Sequence, residues 1–350
     1  MKQGIAAILA VLVLLLIPMA AQAQAPEVGG KSAYLMDVAT GTVLGEFNAH
    51  EKLAPASVTK VMTMLLIMEA VDSGKIRWED MVTTSEAAAA KGGSQIYLKV
   101  GEQMTVRDMM KSIAVSSAND CACAMAEHLA GSEAAFVNQM NQRAQELGMT
   151  DTNFVNCTGL DDGEDAKNHR TSAHDIALMS RELLKNHPDV RKFTTIWMDT
   201  VRQGAFGLSN TNKLIRFYPG ATGLKTGFTS GAGYCLSASA QRDGMELVAV
   251  VMGADSSKTR FNACKQLLDY GFANFALVQP DICDTPAVPV ELEETVEAPV
   301  HQGQRLGTLT YRSGEQILRQ IPLVAQQEVP RLSWRQMFGK VFRRMAMAAE

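Results

Sequence analysis

No basic stripe crosses the main body of this chain, its cysteines lack any metal-binding rhythm, and its first apolar run is short for a membrane span. Each absence narrows the function. The 33 lysines and arginines face 37 acidic residues, a formal charge of −4, so the main body offers no surface for a nucleic-acid backbone. The short run, Ile5 to Ile17, follows Lys2 and leads to Pro18 and Ala21-Gln22-Ala23, the three regions of a secretory signal peptide. Residues 1–23 are therefore expected to be removed on export, with the mature chain starting near Gln24. Export permits disulfides among the six cysteines. Their placement argues otherwise: Cys121 and Cys123 straddle one alanine in a helix-like segment, Cys235 lies in a strand-like run and Cys264 in another helical pattern. They read as small buried apolar thiols.

Metal and phosphate motifs are missing as well. Asp161, Asp162, Glu164, Asp165, His169 and His174 fit neither a calcium loop nor a zinc helix and read as a solvated loop, so no metal is expected. Gly92-Gly93 is not framed by the strand and helix of a phosphate cradle and reads as a flexible loop near a cleft. No cofactor is called for.

What is present is an ordinary globular composition, 47% hydrophobic and 20% charged over 350 residues, enough for a large core and two domains. Ala33 to Val38 and Val43 to Phe47 flank Thr40-Gly41 as a β-hairpin. A helix is expected from about Ser57 to Asp72, stopped by Gly74, and the pattern stays mostly helical from about 80 to 200. Ser172 and Asp175 form a capping-box-like start for one of these helices. Strands return at Tyr234 to Ala240 and Glu246 to Met252 across the turn Arg242-Asp243-Gly244, and a last helix covers about Lys258 to Phe275. This order predicts one antiparallel sheet made from both ends of the domain, with helices on its faces. The twenty methionines read as core filling.

Composition shifts at Pro280. Six of the eleven prolines and eight acidic residues fall between 280 and 330, where alternating runs at Leu306 to Tyr311 and Ile317 to Val324 predict a small all-β appendage. From Trp334, the residues Met337, Phe338, Val341, Phe342 and Met345 recur on one helical face, with Arg335, Lys340 and Arg343 on the other. This reads as an interfacial helix that would attach the chain peripherally to the cytoplasmic membrane surface, on the extracytoplasmic side. The expected segments are a leader at 1–23, a main domain at 24–277, a β segment at 278–330 and an amphipathic helix at 331–350.

Ser57 and Lys60 stand three apart at the mouth of a helix that is apolar on nearly every side through Met68. Such spacing sets a hydroxyl beside an amine. Serine needs a base to become a nucleophile, and lysine can be that base once burial destabilises its ammonium. Alone, the pair also fits an N-cap serine followed by a surface lysine. Two further elements follow in order, Ser117-Ala118-Asn119 and Lys225-Thr226-Gly227. Together the three resemble the signature of penicillin-binding proteins and serine β-lactamases. From about Lys31 to Phe275 the chain resembles the D-alanyl-D-alanine carboxypeptidase branch, through Ala56 to Lys60, Gly92 to Leu98, Ser117 to Asp120, Gly159-Leu160-Asp161 and Lys225 to Tyr234.

The resemblance implies an α+β, β-lactamase/transpeptidase-like domain and an acyl-enzyme mechanism on peptidoglycan stem peptides, with β-lactams acylating the same serine. It casts Ser57 as nucleophile, Lys60 as its base and Ser117 as proton relay. Asn119 would hold the peptide amide, and Lys225 and Thr226 would grip the terminal carboxylate with help from Arg260. Backbone N–H groups of Ser57 and of Phe228, next to Gly227, would form the oxyanion hole. Two features depart from the pattern: a β segment that looks truncated, and Phe228 where some relatives have histidine. A β-lactamase would need a positioned glutamate, and we read no Glu-x-x-x-Asn segment in the helical region that would supply it. A D,D-endopeptidase or transpeptidase on the same motifs and a non-catalytic envelope-binding protein are the remaining alternatives.

Overall fold

The computed structural model describes residues 26, 28–162, 164–276, 290–292, 296, 298–313, 316–331 and 333. The expected leader, Cys283 and the amphipathic run from Trp334 lie outside them.

Strand β1 (Ser32–Asp37) and β2 (Val43–Phe47) pair as the predicted hairpin. Three long strands return late: β3 (Ala221–Thr229), β4 (Gly233–Arg242) and β5 (Met245–Ala254). They join the hairpin in one sheet of order β2-β1-β5-β4-β3, antiparallel at every pairing. The two ends of the domain meet at β1 and β5, where Leu35 lies opposite Ala249. Both faces are apolar because alternate residues point to opposite sides. Tyr34, Met36, Val248 and Val250 enter one core, while Ala33, Leu35, Leu247 and Ala249 enter the other.

The larger core is helical. At its centre lies α1 (Lys60–Asp72), with Met62, Met64 and Met68 fully buried, as expected of methionine filling irregular gaps. Around it stand α2 (Val106–Ser116), α3 (Asn119–Ala130), α4 (Glu133–Glu146) and α5 (Ala173–Asn186). Thr105, Ser132 and Ser172 cap α2, α4 and α5 by accepting backbone N–H bonds. Only half of the expected capping box forms at α5. Ser172 Oγ accepts from Asp175 N at 3.2 Å, but the Asp175 carboxylate is engaged with Asp151 N, Thr152 Oγ1 and His174 instead.

The smaller core is closed by α6 (Ser257–Asn274), which lays Phe261, Cys264, Leu267 and Leu268 on the sheet. A Cβ at Gly271 would stand 2.4 Å from Leu247 Cδ1, so the helix sits closer than a side chain there allows. Cys121, Cys123, Cys157, Cys235 and Cys264 are buried free thiols. Farther on, β6 (Val290–Leu292), β7 (Arg305–Ser313) and β8 (Gln316–Val324) form a three-stranded antiparallel sheet with a cluster of Val300, Leu306 and Ala325. Among the described residues no helix is long and apolar enough to cross a membrane.

Candidate active site

The segment before α1 is not yet α-helical. Ala56 takes φ +48°, and Ala56–Thr59 form a 3₁₀ turn that runs into α1, so the helix starts at Lys60 rather than Ser57. In a 3₁₀ turn residues three apart eclipse, and the serine and lysine still share a face. Lys60 Nζ donates to Ser57 Oγ at 3.1 Å and to the carbonyl of Thr158 at 2.7 Å. Lys60 is fully buried, and that burial brings its ammonium down from 10.5 to about 7, with Cys157 and Asp120 pulling weakly the other way. A neutral amine is therefore well populated near neutral pH.

The turn is held from behind. Thr59 Oγ1 donates to Ala56 O at 2.8 Å, and His169 Nε2 lies 2.7 Å from the same hydroxyl. Because His169 Nδ1 accepts from Val155 N at 3.0 Å, the proton of the neutral ring sits on Nε2 and faces Thr59. Burial lowers this imidazole to about 4, so it is a neutral strut at physiological pH. Asn156 Oδ1 accepts from Thr158 N at 3.1 Å and Gly159 N at 2.7 Å, which fixes the carbonyl that Lys60 uses. Sequence reasoning missed Thr158 and Asn156, since a backbone carbonyl has no residue signature.

Ser117 occupies the turn between α2 and α3 at φ +63°, a conformation that an L residue adopts only under constraint. Its Oγ and the Asn119 Oδ1 are buried without a hydrogen-bond partner among the described residues. Buried polar atoms are rarely left so, and two of them within three residues mark a place where a ligand can complete the bonding. Asn119 Nδ2 donates to Gly92 O at 2.7 Å, which brings the Gly92-Gly93 loop to the site as predicted. Fully buried Asp120 clamps that loop by accepting from Ile96 N at 3.1 Å and Leu98 N at 3.0 Å.

The opposite wall is β3. Lys225 is buried, with Nζ donating to Thr226 O at 2.9 Å, and burial followed by the charges of Lys60 and Arg260 pushes its pKa well down. Thr226 Oγ1 donates to Thr211 Oγ1 at 2.7 Å, and Thr211 N donates to Val115 O at the end of α2. Gly227 lies against the serine turn: a Cβ there would be 2.7 Å from Pro55 O and 3.1 Å from Ser57 N. Phe228 is exposed and stacks on Tyr234, with ring centroids 4.3 Å apart. Arg260 reaches the strand from α6, donating through Nη1 to Gly227 O at 2.7 Å and Cys235 O at 3.2 Å.

One reading is corrected. Two segments do have the Glu-x-x-x-Asn spacing: Glu164 to Asn168, a 3₁₀ turn in the loop after Leu160, and Glu182 to Asn186 on α5. The placement of the second removes it from the chemistry: Glu182 pairs with Arg143 at 2.6 Å, and Arg143 pairs with Glu69 on α1. Glu69 is nine residues along the helix from Lys60, roughly 13 Å away at 1.5 Å per residue.

Known proteins resemble this chain along most of its length. Residues 19–256 match the peptidase S11 family, D-alanyl-D-alanine carboxypeptidase, and residues 285–331 match the penicillin-binding protein 5 C-terminal domain. D-alanyl-D-alanine carboxypeptidase DacF of Bacillus subtilis is 42% identical over 337 residues, covering 85% of each chain. DacC of Escherichia coli is 33% identical over 364 residues, covering 91% of this chain and 88% of DacC. Penicillin-binding protein 6B from Escherichia coli superposes with a TM-score of 0.74 at 33% identity, over 87% of this chain and 98% of that one. Penicillin-binding protein D2 from Listeria monocytogenes, in its ampicillin-bound form, gives 0.64 at 33% identity, over 71% of this chain and all of its own. With the family matched over residues 19–256 and relatives above 30% identical over most of their own length, the chain belongs to the D-alanyl-D-alanine carboxypeptidase family of serine peptidases.

Proposed function

We propose that the protein removes the terminal D-alanine from peptidoglycan stem peptides through an acyl-enzyme on Ser57, and that β-lactams acylate the same hydroxyl. The observation that carries this reading is the 3.1 Å bond between Ser57 Oγ and a fully buried Lys60 whose pKa falls to about 7. Neutral Lys60 takes the serine proton as Oγ attacks the carbonyl of the penultimate residue. The N–H groups of Ser57 and Phe228 receive the oxyanion, and the close approach of Gly227 to Ser57 N supports that pairing. Ser117 passes a proton to the departing amine, and Asn119 holds the substrate amide with its free Oδ1. The terminal carboxylate binds at Lys225 and Thr226, where a negative charge offsets the cost of burying a cation. Arg260 serves this grip indirectly, by fixing the carbonyl of Gly227. Water then releases the acyl group.

The segment beyond the main domain has a separate role in this reading. Residues 278–330 form a short β domain and 331–350 a peripheral anchor on the outer face of the cytoplasmic membrane, after export has removed residues 1–23. The partners are therefore stem peptides, β-lactams and an anionic lipid surface.

The test is free D-alanine released from a peptide ending in D-Ala-D-Ala, by the protein and by Ser57→Ala. Release by the parent alone is the expected result. Covalent labelling by penicillin at Ser57 without D-alanine release would sink the carboxypeptidase reading and point to crosslinked substrates. Rapid penicillin turnover with no D-alanine release would point to a β-lactamase.

A further inference from the structure

We propose that His50, Asp151 and His174 form a binding site for one Zn²⁺ ion, apart from the serine site. The three residues come from distant segments: His50 follows β2, Asp151 follows α4, and His174 lies in the first turn of α5. Each offers a donor atom, and the three atoms lie within 4.8 Å of one another. Two imidazoles and a carboxylate with a fourth, open position are a donor set that zinc accepts at about 2.0–2.2 Å, which puts ligand atoms roughly 3.4 Å apart.

What makes this more than a surface ion pair is the buried group behind it. Asp175 is fully buried, and its Oδ1 accepts from His174 Nδ1 at 2.8 Å. That bond fixes the tautomer and leaves the Nε2 lone pair for a metal, the arrangement by which a carboxylate orients a metal-bound histidine. The other oxygen of Asp175 accepts from Asp151 N at 2.8 Å and Thr152 Oγ1 at 2.7 Å, so one carboxylate orients two of the three ligands. The backbone adds to this preorganisation: His174 N donates to Ala49 O at 3.0 Å, beside His50. The rings of His50 and His174 are 4.5 Å apart, and His50 Nδ1 is 2.8 Å from Asp151 Oδ2. Lys52 Nζ stands 3.7 Å from Asp151 Oδ1, but that side chain is 59% exposed and can turn into solvent when a cation arrives.

A second group, Glu69, Glu182 and His187, has a similar spread. Its glutamates are already engaged by Arg143 at 2.7 and 2.6 Å, and His187 by Asp72 at 2.5 Å. A guanidinium inside the cluster repels a divalent cation, which makes this group the natural control.

A zinc ion at the first group would act as a staple. Leu53 and Thr171 exchange backbone bonds of 2.8 and 2.9 Å between the histidine-bearing segments, and the chain then runs on to Ser57. The inference departs from the expectation of no metal, since residues 50, 151 and 174 have no common spacing in the sequence.

The experiment is isothermal titration of Zn²⁺ into the full-length protein, followed by Co²⁺ as a spectroscopic probe. One zinc per chain is expected, with a rise in melting temperature and the visible bands of tetrahedral Co²⁺. His50→Ala, an exposed position that should not disturb folding, and Asp151→Asn should each weaken binding at least tenfold, and Asp175→Asn by about 10–100-fold. His187→Gln should leave it unchanged. Absence of saturable binding, or zinc affinity unaltered in His50→Ala, would overturn the proposal and leave a surface ion pair only. Penicillin labelling of each variant reports that it is folded.

Discussion

The carbonyl of Thr158 and the hydroxyl of Ser57 share the ammonium of Lys60, at 2.7 and 3.1 Å. The Lys60 amine is thus aimed by a loop ninety-eight residues away in sequence, and moving that loop moves the amine.

The rate of penicillin acylation should rise with pH through about 7, the value to which burial brings Lys60. With one group titrating, the rate at pH 6 should be roughly a tenth of its plateau. The same shift acts on stability. The unfolded lysine holds its proton up to about 10.5 and the folded one only to about 7, so Lys60's contribution to stability rises with pH between those values. Stopped-flow acylation across pH 5.5–9 checks the first part; a flat profile would remove Lys60 as the base.

Gly159→Ala should abolish acylation. The residue sits at φ +85°, and a Cβ would fall 1.8 Å from Ala56 O, so either the serine turn or the Thr158 carbonyl must shift. Strain together with that clash should also cost about 2–4 kcal/mol of stability, read by urea denaturation. Wild-type acylation in a folded variant would contradict the coupling.

Asp120→Asn should destabilise the fold by about 1–3 kcal/mol, because a fully buried carboxylate accepts the N–H groups of Ile96 and Leu98. The amide oxygen can take both bonds, as Oδ2 does, but the NH₂ donor then turns toward Cys121 N, which donates to the other carboxylate oxygen at 2.9 Å. Since this loop also meets Asn119 through Gly92 O, KM for a peptide substrate should rise more than kcat falls. Steady-state kinetics at saturating and low substrate separates the two.

Ending the chain at Pro330 should abolish binding to anionic vesicles and leave acylation of Ser57 unchanged. The basis is the Arg335, Lys340 and Arg343 face opposite Phe338, Val341 and Phe342. Co-sedimentation with vesicles is the measurement, and equal binding by both chains would count against the anchor.

Much of the fold was legible without coordinates. The hairpin at the start and the strand pair at the end are short apolar runs around turn residues, and their order predicted a single sheet built from both ends. Local chemistry sufficed there, because strand-forming composition and turn residues act over a few positions. The 3₁₀ start before Lys60 was not legible, since the left-handed Ala56 is imposed by packing around Gly159 and Gly227 and not by alanine's own preference. Glu182 and Asn186 show the converse: a motif spacing on the right kind of helix, made irrelevant by where that helix ends.

The sequence by itself determined the candidate groups for the chemistry, because Ser57, Lys60, Ser117, Asn119, Lys225 and Thr226 stand in short motifs whose spacing is chemical information. Only the tertiary structure decided what surrounds them. Burial of Lys60, its second bond to Thr158, the clamp of Asp120 and the meeting of His50, Asp151 and His174 all join segments far apart in the chain. Desolvation and long-range contact depend on the whole packed core, and no window of sequence contains them.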